Sequence, residues 1–412
     1  MRNLLVGISF FLILIVSPAQ AWHHLPPGAS AWKESGRMGI RGITIGPIES
    51  SQHPGRGYGT SYSAELLEEL ARLGVNWVSI TPFGRISNLR STRIQPDFEA
   101  PMIDSERGVE LMISQARARG FDVLLVPHLW VESYEWRGQI DPGSSERWSA
   151  FLASYRVWLM RWARIAERSG ATALSIGVEC TSWSGRLFPF WLELIQEVRS
   201  VFSGALTYSA NWDEVSNVVF WDQLDLIGVN AFHPLGQYSA RSDQEYLMQA
   251  RRNADELRRH AETLRMPVVF TELGYTSVAN AAIRPWVWPE AMDDVMYDER
   301  EQERSFAATL GAFLSEPWFT GLFIWRYFSD LDDVSQEAIW GFSPHAKRAE
   351  KLIRQIFHSE WEVDPLPAVP TANRSELLRR QDAYPYTGLL PRSFGLSQFG
   401  FERDGSAAGS KP

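Results

Sequence analysis

Ala173-Leu-Ser-Ile-Gly-Val-Glu179 is a short apolar, partly β-branched run that ends on a carboxylate, shortly after the helix-stopping Gly170. Pro267-Val-Val-Phe-Thr-Glu272-Leu-Gly-Tyr275 repeats the pattern. Each reads as a buried strand, and an unpaired charge at the end of such a strand is costly. An acid there is therefore expected to face a cleft at the strand's C-terminal end.

Six further runs of the same kind surround these two: Gly42 to Gly46, Trp77 to Thr81, Val123 to Pro127, Leu206 to Ser209, Leu226 to Val229 and Gly321 to Trp325. With Ala173 to Gly177 and Val268 to Thr271 they make eight strands. Amphipathic stretches alternate with them: Ala64 to Leu73, Glu106 to Arg119, Ser145 to Arg168, Pro189 to Phe202, Gln244 to Leu264, Arg300 to Leu314 and Ala346 to Phe357. Gly74, Gly120, Gly170 and Pro267 stop helices before the following strands. The fifth crossover, Trp212 to Trp221, has room only for a short helix. This pattern predicts an α/β fold, a (β/α)8 TIM barrel, whose roughly 320 residues suit a single barrel domain. A doubly wound open sheet would need a Gly-rich phosphate turn after the first strand, and Gly46-Pro47-Ile48-Glu49 is not one.

Met1 to Ala21 has Arg2, an apolar run from Leu4 to Val16 and a small-x-small end at Ala19-Gln-Ala21, the pattern of a secretory signal peptide. The expected organisation is thus a signal peptide over 1–21, the catalytic barrel over 22–358 and an extended, partly disordered tail over 359–412. Export to the periplasm or the outside follows, with no membrane association after cleavage. The single Cys, Cys180, allows no intrachain disulfide.

The net charge of −9 offers no basic face for a phosphate backbone, so nucleic acid is not an expected partner. Eighteen Trp residues suit the apolar faces of sugar rings, although a large core uses Trp as well. The eight His form no His-x-x-x-His pair and no Cys cluster exists, so neither a catalytic metal nor another cofactor is expected.

In a (β/α)8 barrel reactive groups gather at the C-terminal strand ends. Glu179 and Glu272, on the fourth and seventh strands, can then meet across the mouth. A separation of about 5 to 5.5 Å suits double displacement with retention. One glutamate must carry a proton for the leaving oxygen while the other attacks the anomeric carbon.

The chain resembles glycoside hydrolase family 113, of clan A, whose characterised members are β-mannanases. The resemblance lies in Gly74-Val-Asn-Trp-Val78, Ser91-Thr92, Trp136-Arg-Gly138, Ile176-Gly-Val-Glu179, Leu206-Thr-Tyr-Ser-Ala-Asn-Trp-Asp213, Phe220-Trp-Asp-Gln-Leu-Asp225, Phe270-Thr-Glu-Leu-Gly-Tyr275 and Trp340-Gly-Phe-Ser-Pro344. It implies Glu179 as acid/base, Glu272 as nucleophile and β-mannan as the first substrate expectation, with another β-glycan, including a glucosamine-containing one, second. Two positions depart from the family pattern: Val178 where it tends to carry Thr, and Phe232 where it tends to carry Tyr. Asn211 or Asn230 would then supply the missing sugar contact, and His233 or Tyr275 would steady the nucleophile.

His128, Trp130, Trp136, Asn211, Trp212, Asp213, Asn230, His233, Tyr275 and Trp325 are the candidate sugar-binding residues, all at or beyond strand ends, with Trp325 as the platform beside the cut bond. A non-hydrolytic carbohydrate binder and a transglycosylase fit the same barrel, because function resides in the site rather than the fold.

Overall fold

The computed structural model describes residues 39–48, 55–96, 102–237, 242–292, 295–314, 316–332 and 336–358. The signal-peptide and tail expectations lie outside these residues.

Among the described residues ten strands run in chain order: β1 Ile40–Gly46, β2 Trp77–Ile80, β3 Phe83–Ile86, β4 Asp122–Leu125, β5 His128–Val131, β6 Ala173–Val178, β7 Ala205–Asn211, β8 Ile227–Asn230, β9 Val268–Leu273 and β10 Phe319–Phe328. Eight close a barrel in the order β1-β2-β4-β6-β7-β8-β9-β10, with β10 returning to β1 through Ile40 opposite Gly321. All pairings are parallel, as the βα alternation requires. Glu179 thus follows the fourth barrel strand, and Glu272 lies in the seventh.

The helices lie close to their expected ranges, including Ser61–Leu73, Ser145–Ser169, Asp243–Leu264, Glu299–Phe313 and Arg348–Phe357. Gly74 and Gly170 take the left-handed conformation that ends the first two of these, which only glycine adopts without strain. The fifth crossover contains only a one-turn 3-10 helix, Trp221–Gln223.

Ile40, Trp77, Leu124, Val126, Ala173, Val178, Ala205, Leu226, Val269 and Phe323 form one buried cluster drawn from the barrel strands. Much of the tryptophan content is structural: Trp183 stacks on Trp191 at 4.6 Å, and Trp191 on Phe220 at the same distance, with Tyr155 and Tyr208 edge-on to the stack. This aromatic block packs against the ends of β6 and β7 and supports the backbone that carries Glu179. One feature differs from the expected pattern. β3 and β5 continue the chain beyond the second and third barrel strands and pair in parallel as a separate two-stranded sheet.

Candidate active site

Glu179 sits one residue past β6 with a left-handed backbone, φ 49°. A side chain in that region costs about 1–3 kcal/mol, and such strain persists only where neighbours fix it. Glu179 N–H donates to the Ser209 carbonyl at 2.8 Å, and the next N–H, of Cys180, donates to the Tyr208 hydroxyl at 2.6 Å. Tyr208 in turn donates to Glu214 at 2.6 Å, and Glu214 also accepts from Ser184 Oγ and from the Asn211 N–H at 2.9 Å. Burial pushes the Glu214 carboxyl up to about 7. This buried relay ties the ends of the fourth and fifth barrel strands together.

The Glu179 carboxylate accepts two hydrogen bonds. Trp136 Nε1 donates to Oε2 and Asn230 Nδ2 donates to Oε1, both at 3.0 Å. Asn230 also stands opposite Glu272 in the β8–β9 register, and its amide favours the ionised Glu272 carboxyl. Its orientation is fixed because its Oδ1 accepts from the Thr271 hydroxyl at 2.9 Å. Arg137 approaches Glu179 only to 3.8 Å; its closer contact is His128 Nδ1 at 3.0 Å.

A guanidinium only donates, so His128 Nδ1 is the acceptor and the ring proton lies on Nε2. Burial first, then Arg137 and Arg326, hold His128 well below the usual imidazole range, and the ring is neutral. Nε2 stands 3.4 Å from Glu272 Oε1. Neither atom makes a hydrogen bond, although both are buried. Glu272 is pushed well above the ordinary carboxylate range by burial first and then by Glu179; Arg137, Arg326 and Asn230 oppose this.

Aromatic side chains line the remainder. Trp325, joined to Arg326 by a cis peptide, is buried with Phe232 and Phe342, and Trp212 and Trp288 pack on that group. Trp130 meets Trp288 edge to face at 6.3 Å. Trp212 stacks on the partly exposed Trp286 at 5.6 Å, and His233 packs between Trp212 and Phe270. Burial lowers His233 to about 4, so it is neutral. Asn211 donates to Asp213 at 2.7 Å, and burial, then the Glu179 charge, push Asp213 up.

Tyr275 requires a correction. Its hydroxyl is 2.7 Å from Thr309 and its ring is edge-on to Phe306, both on the Glu299–Phe313 helix outside the barrel. Its adjacency to Glu272 in sequence therefore does not carry it into the site, and Asn230, opposite Glu272 in the register of the neighbouring strand, is the side chain that favours its ionised form. Val178 joins the barrel core, and Asn230, not Asn211, reaches the acid/base candidate. Arg137, Trp288, Tyr208 and Glu214 were not singled out from sequence. Arg137 lies inside the Trp136-Arg-Gly138 motif and Tyr208 inside Leu206-Thr-Tyr-Ser-Ala-Asn-Trp-Asp213, which are the available signals, whereas Trp288 sits in a loop with no periodicity. The Cys180 thiol is buried, and burial pushes its proton affinity up, against a nucleophilic role.

A closed (β/α)8 barrel with two glutamates at the C-terminal ends of its fourth and seventh strands has the arrangement of a glycoside hydrolase. The glycoside hydrolase family 113 profile matches residues 51–341, and the chain belongs to that family. Among solved structures it is similar to a family 113 β-mannanase from Alicyclobacillus acidocaldarius in complex with ManMIm: TM-score 0.66, 27% identity, over 77% of this chain and 97% of that one. A second family 113 β-1,4-mannanase superposes with TM-score 0.67 at 22% identity, over 78% of this chain and 99% of that one. A Faecalibacterium prausnitzii β-glucuronidase shares the fold alone, with TM-score 0.51 and 14% identity over 79% of this chain and 50% of the other. None of the curated proteins matches in sequence.

Proposed function

We propose that this glycoside hydrolase cleaves a β-linked hexose glycan, β-1,4-mannan first, by double displacement with retention. Glu272 attacks the anomeric carbon; Glu179 protonates the leaving oxygen and then deprotonates the incoming water. The observation that supports this reading is the buried carboxylate pair at the ends of the fourth and seventh barrel strands, with Asn230 on Glu179 and with His128 Nε2 and Glu272 Oε1 left unbonded.

Attack requires Glu272 ionised, against the direction in which burial pushes it. Arg137, Arg326 and Asn230 are the counterweights. A sugar hydroxyl seated between His128 Nε2 and Glu272 Oε1 would accept from the first and donate to the second. That gives both orphaned atoms a partner and favours the carboxylate. Trp325 supplies an apolar face for the sugar. The choice of mannan rests on the two structural relatives, which are mannanases. Export rests on the Met1 to Ala21 pattern.

The test is product analysis on mannan, β-glucan and chitosan, with NMR of the first anomer formed. Mannan cleavage giving the β-anomer is expected. A first-formed α-anomer would overturn retention, and inactivity on every glycan would turn the reading to a carbohydrate-binding protein.

A further inference from the structure

Two aromatic contacts cross the barrel mouth, one above the other. The lower is His128 stacked near-parallel with Trp325, centroids 5.9 Å apart and planes at 24°. The upper is Trp130 edge to face with Trp288 at 6.3 Å and 85°. His128 and Trp130 belong to β5, which continues the third barrel strand; Trp325 lies in the eighth, and Trp288 follows the seventh. Trp288 also meets Trp325 edge-on at 6.5 Å, joining the two levels. Phe83 backs both from the β5 side, 5.4 Å from His128 and 6.2 Å from Trp130. The Arg326 guanidinium lies 5.3 Å from the Trp288 ring centre and 5.1 Å from that of Trp325. Rings at these separations are in van der Waals contact, so no pyranose passes between them.

This wall divides the mouth. Strands one and two of the barrel lie behind it; Glu179 and Glu272, on strands four and seven, lie in front. Resting on the roles proposed above, the direction of the substrate follows from chemistry. Glu179 protonates the leaving oxygen, so the departing part of the chain lies on its side, over strands four to six, where the Trp212–Trp286 stack offers a platform. O4 of the attacked sugar is at the opposite end of the ring from C1, so in this orientation it would face the wall. In a β-1,4-linked chain, O4 is where the non-reducing part would continue.

We propose that the site is closed behind the attacked sugar, so that the enzyme removes single sugars from non-reducing ends of β-1,4-mannan oligosaccharides instead of cutting within the chain. The probe is mannopentaose reduced to its alditol, with initial products separated by chromatography. Mannose and the tetrasaccharide alditol are expected first. Mannobiose or mannotriose as first products would overturn the inference while leaving the hydrolase reading intact. No turnover of this substrate or of mannan would remove the mannanase reading and this inference with it.

A second probe carries an O4-methyl group on its non-reducing terminal sugar. The wild type should cleave it about 10- to 200-fold more slowly, the discrimination one methyl group commonly brings in a tight pocket. Trp288→Ala, which opens the upper level, should recover most of that loss. Equal wild-type rates on capped and uncapped substrates would also overturn the closure, and this comparison does not depend on the variant folding.

Discussion

Gly138→Ala would disturb Glu179, the proposed acid/base, through one intermediary. A Cβ at residue 138 would lie 2.4, 2.5 and 2.6 Å from three carbons of the Trp136 ring. Carbon contacts settle near about 3.5–4.0 Å, so the indole must retreat by about 1 Å. Its Nε1 is 3.0 Å from Glu179 Oε2, and a retreat of that size carries the pair beyond hydrogen-bonding range. A hydrogen bond to a charged group contributes about 1.5–3 kcal/mol. If the bond is held to the transition state, its loss lowers the rate by about 10- to 150-fold. The assay is kcat/KM on aryl β-mannosides with good and poor leaving groups. The loss should concentrate on poor leaving groups, which need the proton. Trp136→Phe should reproduce it, and the double variant should add almost nothing, because both changes break one bond. Activity of Gly138→Ala within about twofold of wild type, or losses that add in the double variant, would refute the chain of contacts.

Three further outcomes follow from the same geometry. Glu179→Ala should slow substrates with poor leaving groups far more than activated aryl glycosides; equal losses would contradict its role as acid. The acid limb of kcat/KM, which reports the free enzyme, should lie at higher pH than that of kcat, because Glu272 is pushed up when empty and gains a sugar donor when occupied; coincident limbs in a pH-rate series would count against this. Glu272→Gln should abolish turnover and stabilise the fold at neutral pH. A carboxyl whose folded value is raised contributes a penalty that is absent below the ordinary carboxylate range, grows as pH rises from that range to the folded value and is constant above it. Urea titrations should therefore show the stability gap between variant and wild type shrinking toward about pH 4, and a gap that widens on acidification would be inconsistent with a raised Glu272.

The barrel is legible in sequence because each of its strands is a short apolar run, several preceded by a glycine or proline that ends a helix. β3 and β5 are not legible for a specific reason. Pro82 and Pro127 stand between them and the second and third barrel strands, so each run reads as finished where the chain in fact resumes pairing. That small sheet carries His128 and Trp130, so both residues are legible as strand-end groups while the contact of Trp130 with Trp288 is not. The two glutamates are legible because a carboxylate closing a buried apolar strand must reach either a partner or a cleft. The placing of Asn230 against Glu179 and opposite Glu272 is not, since it depends on β8 standing between β7 and β9 in register. Tyr275 shows the opposite case: two residues past a strand's end, side-chain direction is set by the turn, and spacing says nothing about it.

The left-handed backbone of Glu179 implies a trade between durability and turnover. Glycine at this position would relax the conformational cost while deleting the proposed proton donor, so loss of chemistry and gain in robustness lie one codon apart. A lineage released from selection for turnover would meet little resistance in drifting toward an inert, hardier glycan holder with its aromatic lining intact.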